Sequence, residues 1–393
     1  MTETYETQGG SNRRPIVTIG TFIAIALVVA WFTGPAAAGE IKIGAHLSLT
    51  GSAAFAGTSM RKGMEYAAQE INRSEFLGPD TKISLIVGDD ASDKTQGINL
   101  LYKFINGDNV LMVVGGVLTP VVKAMTPIAQ QSQTVFVIAN SSAPDLTLDG
   151  DYIFRTAQVY TPFFKDVVDA TEPVYKWKTA AVIYGNDNDS TLTMYKDYKR
   201  FFSSYHVDFV AEEGVTAEDT DFSVQLANIR AAKPDVLLPM LIGPQAAAFI
   251  LQARQLGINV PMLGQQAHNS PDMYRIAGDA VVGEILPAHW FIGSPIPMNR
   301  AFVDGYRKAY HEDPEQFTAN GYQAVWYAAL GIKAAGDNPD RQSVQRGLLS
   351  IKQFDGVFGM DGKMTVDSNR EVKVKGLILR IGPGGRIEQW HEP

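Results

Sequence analysis

The 393-residue chain contains no cysteine. Disulfides, thiolate metal sites and thiol nucleophiles are therefore excluded. A lipid anchor attached through a cysteine at a processing site is excluded for the same reason. Without covalent cross-links, the fold must depend on a hydrophobic core large enough to be stable alone.

The sequence also lacks the motifs that mark common enzymes, because G-x-S-x-G, H-E-x-x-H, the Walker phosphate loop and G-x-G-x-x-G do not occur. Six histidines are scattered without the spacing of metal ligands, at positions 46, 206, 268, 289, 311 and 391. We therefore expect no catalytic residue, no metal and no cofactor. The net charge of −8 makes nucleic acid and anionic membranes poor partners.

Long apolar runs are absent after residue 38, so we expect the mature chain to be soluble. The one long run, residues 16–32, follows Arg13-Arg14 and precedes Ala36-Ala37-Ala38. This order is typical of an export signal and predicts cleavage near Ala38, with release into the periplasm. The alternative is a retained membrane anchor, because the run is close to the roughly 20 residues that span a bilayer.

Short β-rich segments alternate with helical patterns over two stretches, residues 41–138 and 162–263. In the first stretch, apolar residues recur at helical spacing in residues 61–72, between predicted strands at 41–47 and 83–87. Alternation of this kind predicts parallel sheets with helices on both faces. Two such stretches predict two α/β lobes.

Three predicted helices, at 299–310, 319–334 and 341–349, have no strands between them, so we expect them to pack on the first lobe. The tail, residues 371–381 and 386–390, predicts a β-hairpin. A chain that crosses repeatedly between two lobes forms a hinge. The facing carboxyl ends of the strands then form a cleft for a small molecule.

The segments 41–51, which begins with the first predicted strand, and 63–72, within the first predicted helix, are followed in order by Val113-Val-Gly-Gly116, Ala143-Pro-Asp-Leu-Thr147, Phe154-Arg-Thr156, Asp221-Phe222 and Gly321-Tyr-Gln-Ala324. This series extends over residues 40–393. It resembles the leucine/isoleucine/valine-binding proteins, which are type I periplasmic solute-binding proteins of ABC importers.

The resemblance implies an α/β fold of two Rossmann-like lobes with parallel-type central sheets, joined by a three-strand hinge. It implies crossings between the lobes near Gln158, Pro287 and Asp361. The implied organisation is a signal peptide at 1–38, lobe 1 at 39–157 plus 290–360, and lobe 2 at 158–289 plus 361–393.

The resemblance places a ligand carboxylate against the first lobe, at Thr119 and at Asn140, Ser141 and Ser142 after the fourth strand. Short hydroxyl side chains, free N–H groups and the positive end of a helix suit an anion. Thr119 also precedes Pro120, so the alternative is that Thr119 and Ser142 only cap helices.

In the second lobe, Gln265 or Gln266 stands where the family has an acidic partner for the ligand's amino group. Glutamine carries no charge, and an unpaired buried ammonium is costly. We therefore favour a small carboxylate with an apolar or aromatic body, such as an aromatic or 2-oxo acid; a branched-chain amino acid stays open. Candidate pocket walls are Phe55, Tyr184, Leu241, Gln265, Gln266, Trp290 and Phe317.

These features predict a monomeric, non-enzymatic binding protein that delivers its ligand to an inner-membrane ABC permease. The alternatives are a ligand-sensing receptor subunit for chemotaxis or signalling, and an exported α/β enzyme.

The export signal leads to a first testable prediction. N-terminal sequencing of the secreted protein should give a mature chain that begins at Gly39 or Glu40. A secreted or membrane-bound form that still carries residues 16–32 would contradict cleavage and indicate a membrane tether.

Overall fold

The computed structural model describes residues 39–391. The predicted export signal, residues 1–38, lies outside this range. Between residues 39 and 391, no helix has both the length and the apolar character that crossing a membrane requires.

The first part of the described chain forms a sheet of five parallel strands: β1 (Gly39–Leu47), β2 (Thr81–Asp89), β3 (Met112–Gly115), β4 (Val135–Ile138) and β5 (Ile153–Arg155). Their order is β2-β1-β3-β4-β5, which confirms the predicted parallel sheet. Every residue of β3 and β4 is buried, as expected where helices cover both faces. The helices between the strands are α1 (Ala54–Arg73), α2 (Lys94–Tyr102) and α3 (Thr119–Gln131).

A second parallel sheet follows, with strands β6 (Thr179–Gly185), β7 (Asp208–Val215) and β8 (Val236–Met240) in the order β7-β6-β8. Its helices are α4 (Thr161–Tyr175), α5 (Asp189–Ser204), α6 (Ser223–Ala232) and α7 (Gly243–Gln255). At the edge of this sheet, Met262 and Leu263 form single bridges to Leu237 and Ile285.

The remaining elements complete both parts of the fold. They are α8 (Pro271–Ala277), β9 (Ile285–Ala288), α9 (Pro297–Tyr310), α10 (Gln316–Ala335), α11 (Arg341–Ser350), β10 (Gln353–Asp355), β11 (Lys363–Val366), β12 (Val372–Lys373), β13 (Leu377–Ile381) and β14 (Ile387–Gln389). Strands β13 and β14 form the predicted hairpin, and β13 also pairs with β9. Strands β10, β11 and β12 form a small antiparallel sheet.

Each parallel sheet has a hydrophobic core on both faces, because successive strand residues point to opposite sides. Val114 and Ile43 belong to the core that includes α1 and α10, whereas Val113 belongs to the core with α2 and α3. In the second sheet, Leu237 packs with α6 and α7, and Leu238 packs with α4 and α5.

Helices α1 and α10 lie so close that their backbones touch. A Cβ atom at Gly63 would be 1.9 Å from the Thr318 carbonyl oxygen, and one at Gly321 would be 2.2 Å from that of Met60. Both distances are shorter than any real Cβ contact, so this crossing requires glycine at both positions. The contact holds α10 on the first sheet.

The chain passes three times between the parts built on the two parallel sheets: after β5, after β9 and before β13. Met364 and Val372 still belong to the core around the first sheet.

A buried ion pair lies beside the first passage and joins the end of β5 to the segment next to β12. The guanidinium of Arg155, at the end of β5, bonds to the carboxylate of Glu371, next to β12. Glu371 also accepts a hydrogen bond from the Thr147 hydroxyl at 3.1 Å. Arg155 has no solvent exposure, so its charge depends on Glu371 for stabilisation, whereas Glu371 also pairs with the Lys373 ammonium.

Replacing Glu371 by Gln should therefore lower the free energy of unfolding by about 3 to 5 kcal/mol, because the Arg155 charge stays buried without a counter-ion. Urea unfolding followed by circular dichroism measures the loss. The matched control is Asp313→Asn, which breaks the exposed pair between Arg307 and Asp313 at 2.5 Å and should cost less than about 1 kcal/mol. Equal losses in the two variants would contradict this prediction.

Candidate functional site

A cavity lies between the carboxyl ends of the strands of the two parallel sheets. On the side of the first sheet its walls are Ala53, Phe55, Ala56, Val117, Leu118, Thr119, Asn140, Ser141, Ser142 and Phe317. On the side of the second sheet they are Asn188, Ser190, Thr191, Met194, Ile242, Gln265, Gln266 and Ala267. The structure thus brings together eight of the eleven residues predicted from the sequence, while Tyr184, Leu241 and Trp290 do not line the cavity.

Among the described residues that line the cavity, none has an ionisable side chain. A ligand ammonium group would therefore find no carboxylate on this surface. A single negative charge is easier to hold, because hydroxyl and N–H dipoles stabilise anions at the ends of helices.

The first wall supplies such dipoles. Thr119 is the first residue of α3, with Pro120 second, and Leu118 before them offers no capping side chain. Within residues 39–391, the Thr119 hydroxyl makes no hydrogen bond, and the N–H groups of Ser141 and Ser142 donate to no backbone carbonyl. These groups and the positive end of α3 form a set of free donors on one side of the cavity.

The alternative that Thr119 and Ser142 serve only as helix caps is wrong. Thr119 lies inside α3, and the residue in the capping position is Leu118. The Ser142 hydroxyl lies 2.8 Å from the Ser190 hydroxyl, which belongs to the opposite wall. Ser142 therefore connects the two sides of the cavity.

The two glutamines on the second wall differ in their freedom to bind a ligand. Gln265 donates to the Leu241 carbonyl at 2.7 Å and accepts from the Ala267 N–H at 3.0 Å. Both polar atoms of the Gln265 amide are thus used to hold the loop in place. The Oε1 atom of Gln266, in contrast, is buried and has no partner in the described part of the chain.

An acidic residue does lie behind this wall, but it is already paired. Glu284 Oε1 is 2.7 Å from His268 Nδ1, and both side chains are buried. His268 Nε2 lies 3.0 Å from the Leu241 carbonyl oxygen, which can only accept, so Nε2 carries a proton. Glu284 therefore supports the loop and is not exposed to the cavity.

Two phenylalanines form an aromatic wall. The rings of Phe55 and Phe317 meet edge to face, with their centroids 5.5 Å apart. Together with Met194 on the opposite side, they give the cavity an apolar face suited to a hydrocarbon or aromatic body.

Three predicted wall residues lie elsewhere. The ring of Tyr184 stacks on Tyr195 at 4.3 Å, outside the cavity. Leu241 is buried beside the cavity and lines the neighbouring outer cleft. Its carbonyl accepts hydrogen bonds from the loop that carries Gln265 and His268. Trp290 is buried in the first core and donates its indole N–H to Asn299 at 2.6 Å.

The start of α5 is the part of the site that sequence reasoning missed. Asn188 caps this helix by accepting from the Ser190 N–H at 2.9 Å, which turns Ser190 and Thr191 towards the cavity. The available signal was Asn188-Asp-Ser-Thr191 shortly after β6, a typical helix start at the carboxyl end of a strand.

A chain of hydrogen bonds leads from the partly buried Asn140 at the cavity wall to buried side chains behind it. Asn140 donates to the Val117 carbonyl at 3.1 Å, and Asn320 donates to the Asn140 oxygen at 2.9 Å. His289 Nε2 lies 2.6 Å from the Asn320 oxygen, and the Tyr160 hydroxyl lies 2.5 Å from His289 Nδ1. The last acceptor is the Val117 carbonyl, which cannot donate, so the direction of every hydrogen bond in the chain is determined. His289 therefore donates from Nε2 and accepts at Nδ1.

Two α/β lobes that face each other across a small cavity define a two-lobed binding protein. Residues 40–383 match the family described as periplasmic binding protein, and the chain belongs to that family.

Similar proteins cover nearly the whole chain. The Leu/Ile/Val-binding protein BraC3 of Rhizobium johnstonii is 27% identical over 374 residues, which cover 94% of this chain and 99% of that protein. LivJ of Streptococcus pneumoniae, solved in complex with isoleucine, has a TM-score of 0.80 and 23% identity, covering 90% of this chain and 100% of LivJ. A solute-binding protein of R. palustris, solved with benzoate, has a TM-score of 0.79 and 22% identity, covering 89% and 95%. The resemblance and the fold class predicted from the sequence are confirmed.

The neutral state of His289 leads to a prediction about pH. Burial lowers the pKa of His289 to about 4, so the unfolded chain binds the proton first as pH falls. The free energy of unfolding therefore has its full value above pH 6.5. It falls by roughly 3 kcal/mol between pH 6.5 and about 4, because only the unfolded chain takes up the proton in that range. Urea unfolding at pH 7 and pH 4 measures it, with His289→Gln as the comparison because other groups titrate alike in both proteins. Equal losses in the two proteins would contradict the prediction.

Proposed function

We propose that this chain is the substrate-binding protein of an ABC importer, and that it closes on a small monocarboxylate with an apolar or aromatic body. The observation that carries the proposal is the neutral cavity, which on the side of the first sheet has both free donors around Thr119 and the Phe55–Phe317 pair. An aromatic or 2-oxo acid satisfies both features without leaving an unpaired charge.

The similar proteins support both parts of this proposal. LivJ is described in complex with isoleucine and the R. palustris protein in complex with benzoate, so one fold accommodates amino acids and aromatic acids. The absence of an acidic group among the cavity-lining residues of the described chain favours the acid without an amino group. With only neutral residues at the cavity, we infer binding and release of an unchanged ligand.

Contacts across the cavity suggest how the lobes close. Ser142 meets Ser190, and the Lys123 ammonium lies 3.0 Å from Asp145 and 3.1 Å from Asp189 at the start of α5. Ligand contacts on both walls then favour the closed state, because only that state brings them together. Exposed charge pairs contribute little, so the ligand has to supply most of the difference.

We further propose that the lobes are 39–157 plus 290–373 and 158–289 plus 374–393. Residues 361–373 are assigned to lobe 1 because Met364 and Val372 pack in the core around the first sheet. The mature protein, cleaved near Ala38, would work as a monomer in the periplasm and deliver its ligand to an inner-membrane permease.

Titration calorimetry on residues 39–393 tests the ligand class with benzoate, phenylpyruvate and leucine. We expect at least one of the two acids to bind about tenfold or more tightly than leucine, since the leucine ammonium would be desolvated without a counter-ion. Tight leucine binding with no heat from either acid would refute the preference for an acid without an amino group.

A pair of variants tests the carboxylate position. Thr119→Val removes the hydroxyl and keeps the shape, and it should weaken acid binding roughly tenfold to a hundredfold, as expected for a hydrogen bond to a charged group. Thr119→Ser keeps the hydroxyl and should bind nearly as the parent protein does. Unchanged affinity in Thr119→Val would place the carboxylate elsewhere.

A further inference from the structure

His289 lies where the three passages between the lobes come together. It directly follows β9, on the second passage, and its ring accepts from Tyr160, on the first. Its backbone carbonyl accepts from the Gly359 N–H at 2.6 Å, and the Phe358 ring meets the His289 ring edge to face at 4.5 Å. The next residue, Met360, donates to the carbonyl of Lys375 on the third passage at 3.0 Å.

The same histidine is linked to the cavity by the hydrogen-bond chain through Asn320 and Asn140. Asn140 and Val117, at the end of this chain, both line the cavity. Both polar atoms of the Asn140 side chain are engaged within the protein, by Val117 and by Asn320. Asn140 therefore forms part of the cavity wall and also links that wall to the hinge, so that a shift of one requires a shift of the other.

The chain permits only one arrangement of donors and acceptors. Asn140 and Asn320 each accept and donate once along it, and His289 does the same with its two ring nitrogens. If the hinge rotates about His289, a bond breaks inside a dry core, where an unpaired polar group is strongly disfavoured. One angle between the lobes is thus preferred over its neighbours.

We propose that His289 is a positioning residue that sets the closed angle of the hinge and couples it to the cavity through Asn320 and Asn140. The coupling rests on the proposed function, because it requires that a ligand in the cavity closes the lobes. The preferred angle does not, because the hydrogen bonds that set it all lie within the protein.

The test uses the natural absence of cysteine. Leu148 and Val224 are 63% and 71% exposed and lie on different sides of the cavity, so Leu148→Cys and Val224→Cys together accept a pair of dyes. Single-molecule energy transfer then reports the distribution of distances between the lobes, first without ligand and then during titration with benzoate.

Two tyrosine variants separate coupling from packing. Tyr160→Phe removes the hydroxyl that starts the chain. Tyr327→Phe is the matched control, because the Tyr327 hydroxyl is buried and has no partner in the described structure. We expect Tyr160→Phe to broaden the ligand-free distance distribution and to raise the benzoate concentration for half closure about threefold to tenfold, as for one lost hydrogen bond. Tyr327→Phe should match the parent in both.

The outcomes are distinct. A folded Tyr160→Phe with the parent's distances and half-closure concentration would overturn the proposal, even if its melting temperature fell. If Tyr160→Phe does not fold, His289→Gln, which retains one donor and one acceptor, gives the same readouts and is judged by the same criterion. If benzoate closes neither the parent nor the variants, the proposed ligand class fails, while the ligand-free distributions still decide on the preferred angle.

Discussion

Polar groups buried between the lobes have to be paired, and this requirement shapes the hinge. A chain that passes three times between two sheets brings polar side chains into a region that water does not reach. Beside the hinge, Arg155 is held by Glu371. At the hinge itself, Tyr160, His289 and Asn320 form successive hydrogen bonds. Because an unmet donor or acceptor in such a region is costly, these pairs restrict the hinge to few arrangements.

The cavity follows a different electrostatic principle. Among the described residues that line it, none carries a charged side chain, and the buried carboxylate of Glu284, behind the loop of Gln265 and Gln266, is hydrogen-bonded to His268. Dipoles fixed by secondary structure take the place of charges: the end of α3 and the free N–H groups after β4 are already oriented before a ligand arrives. Such a site selects by the number of charges on the ligand as well as by its shape.

The alternation of strands and helices was sufficient to predict two α/β lobes, and strand ends followed by Thr119 and by Asn140 indicated one wall. The start of α1 at Ala54, instead of residue 61, was not predictable from local propensity. Gly57 weakens a helix there, yet the burial of Ala56 against the core stabilises it. The sequence placed Tyr184 at the cavity, but Tyr184 lies within β6, where the side that a ring faces depends on its register in the strand.

The contact between α1 and α10 bears on how the cavity discriminates among ligands. With their backbones touching at Gly63 and Gly321, the two helices form one rigid body, and each carries one ring of the aromatic wall near its first turn. Phe55 and Phe317 are thus a preformed surface whose ordering is complete before binding. Changes in ligand preference among proteins of this architecture would then arise most readily opposite that surface, on the loop of Gln266 and the first turn of α5, where substitutions do not disturb the helix contact.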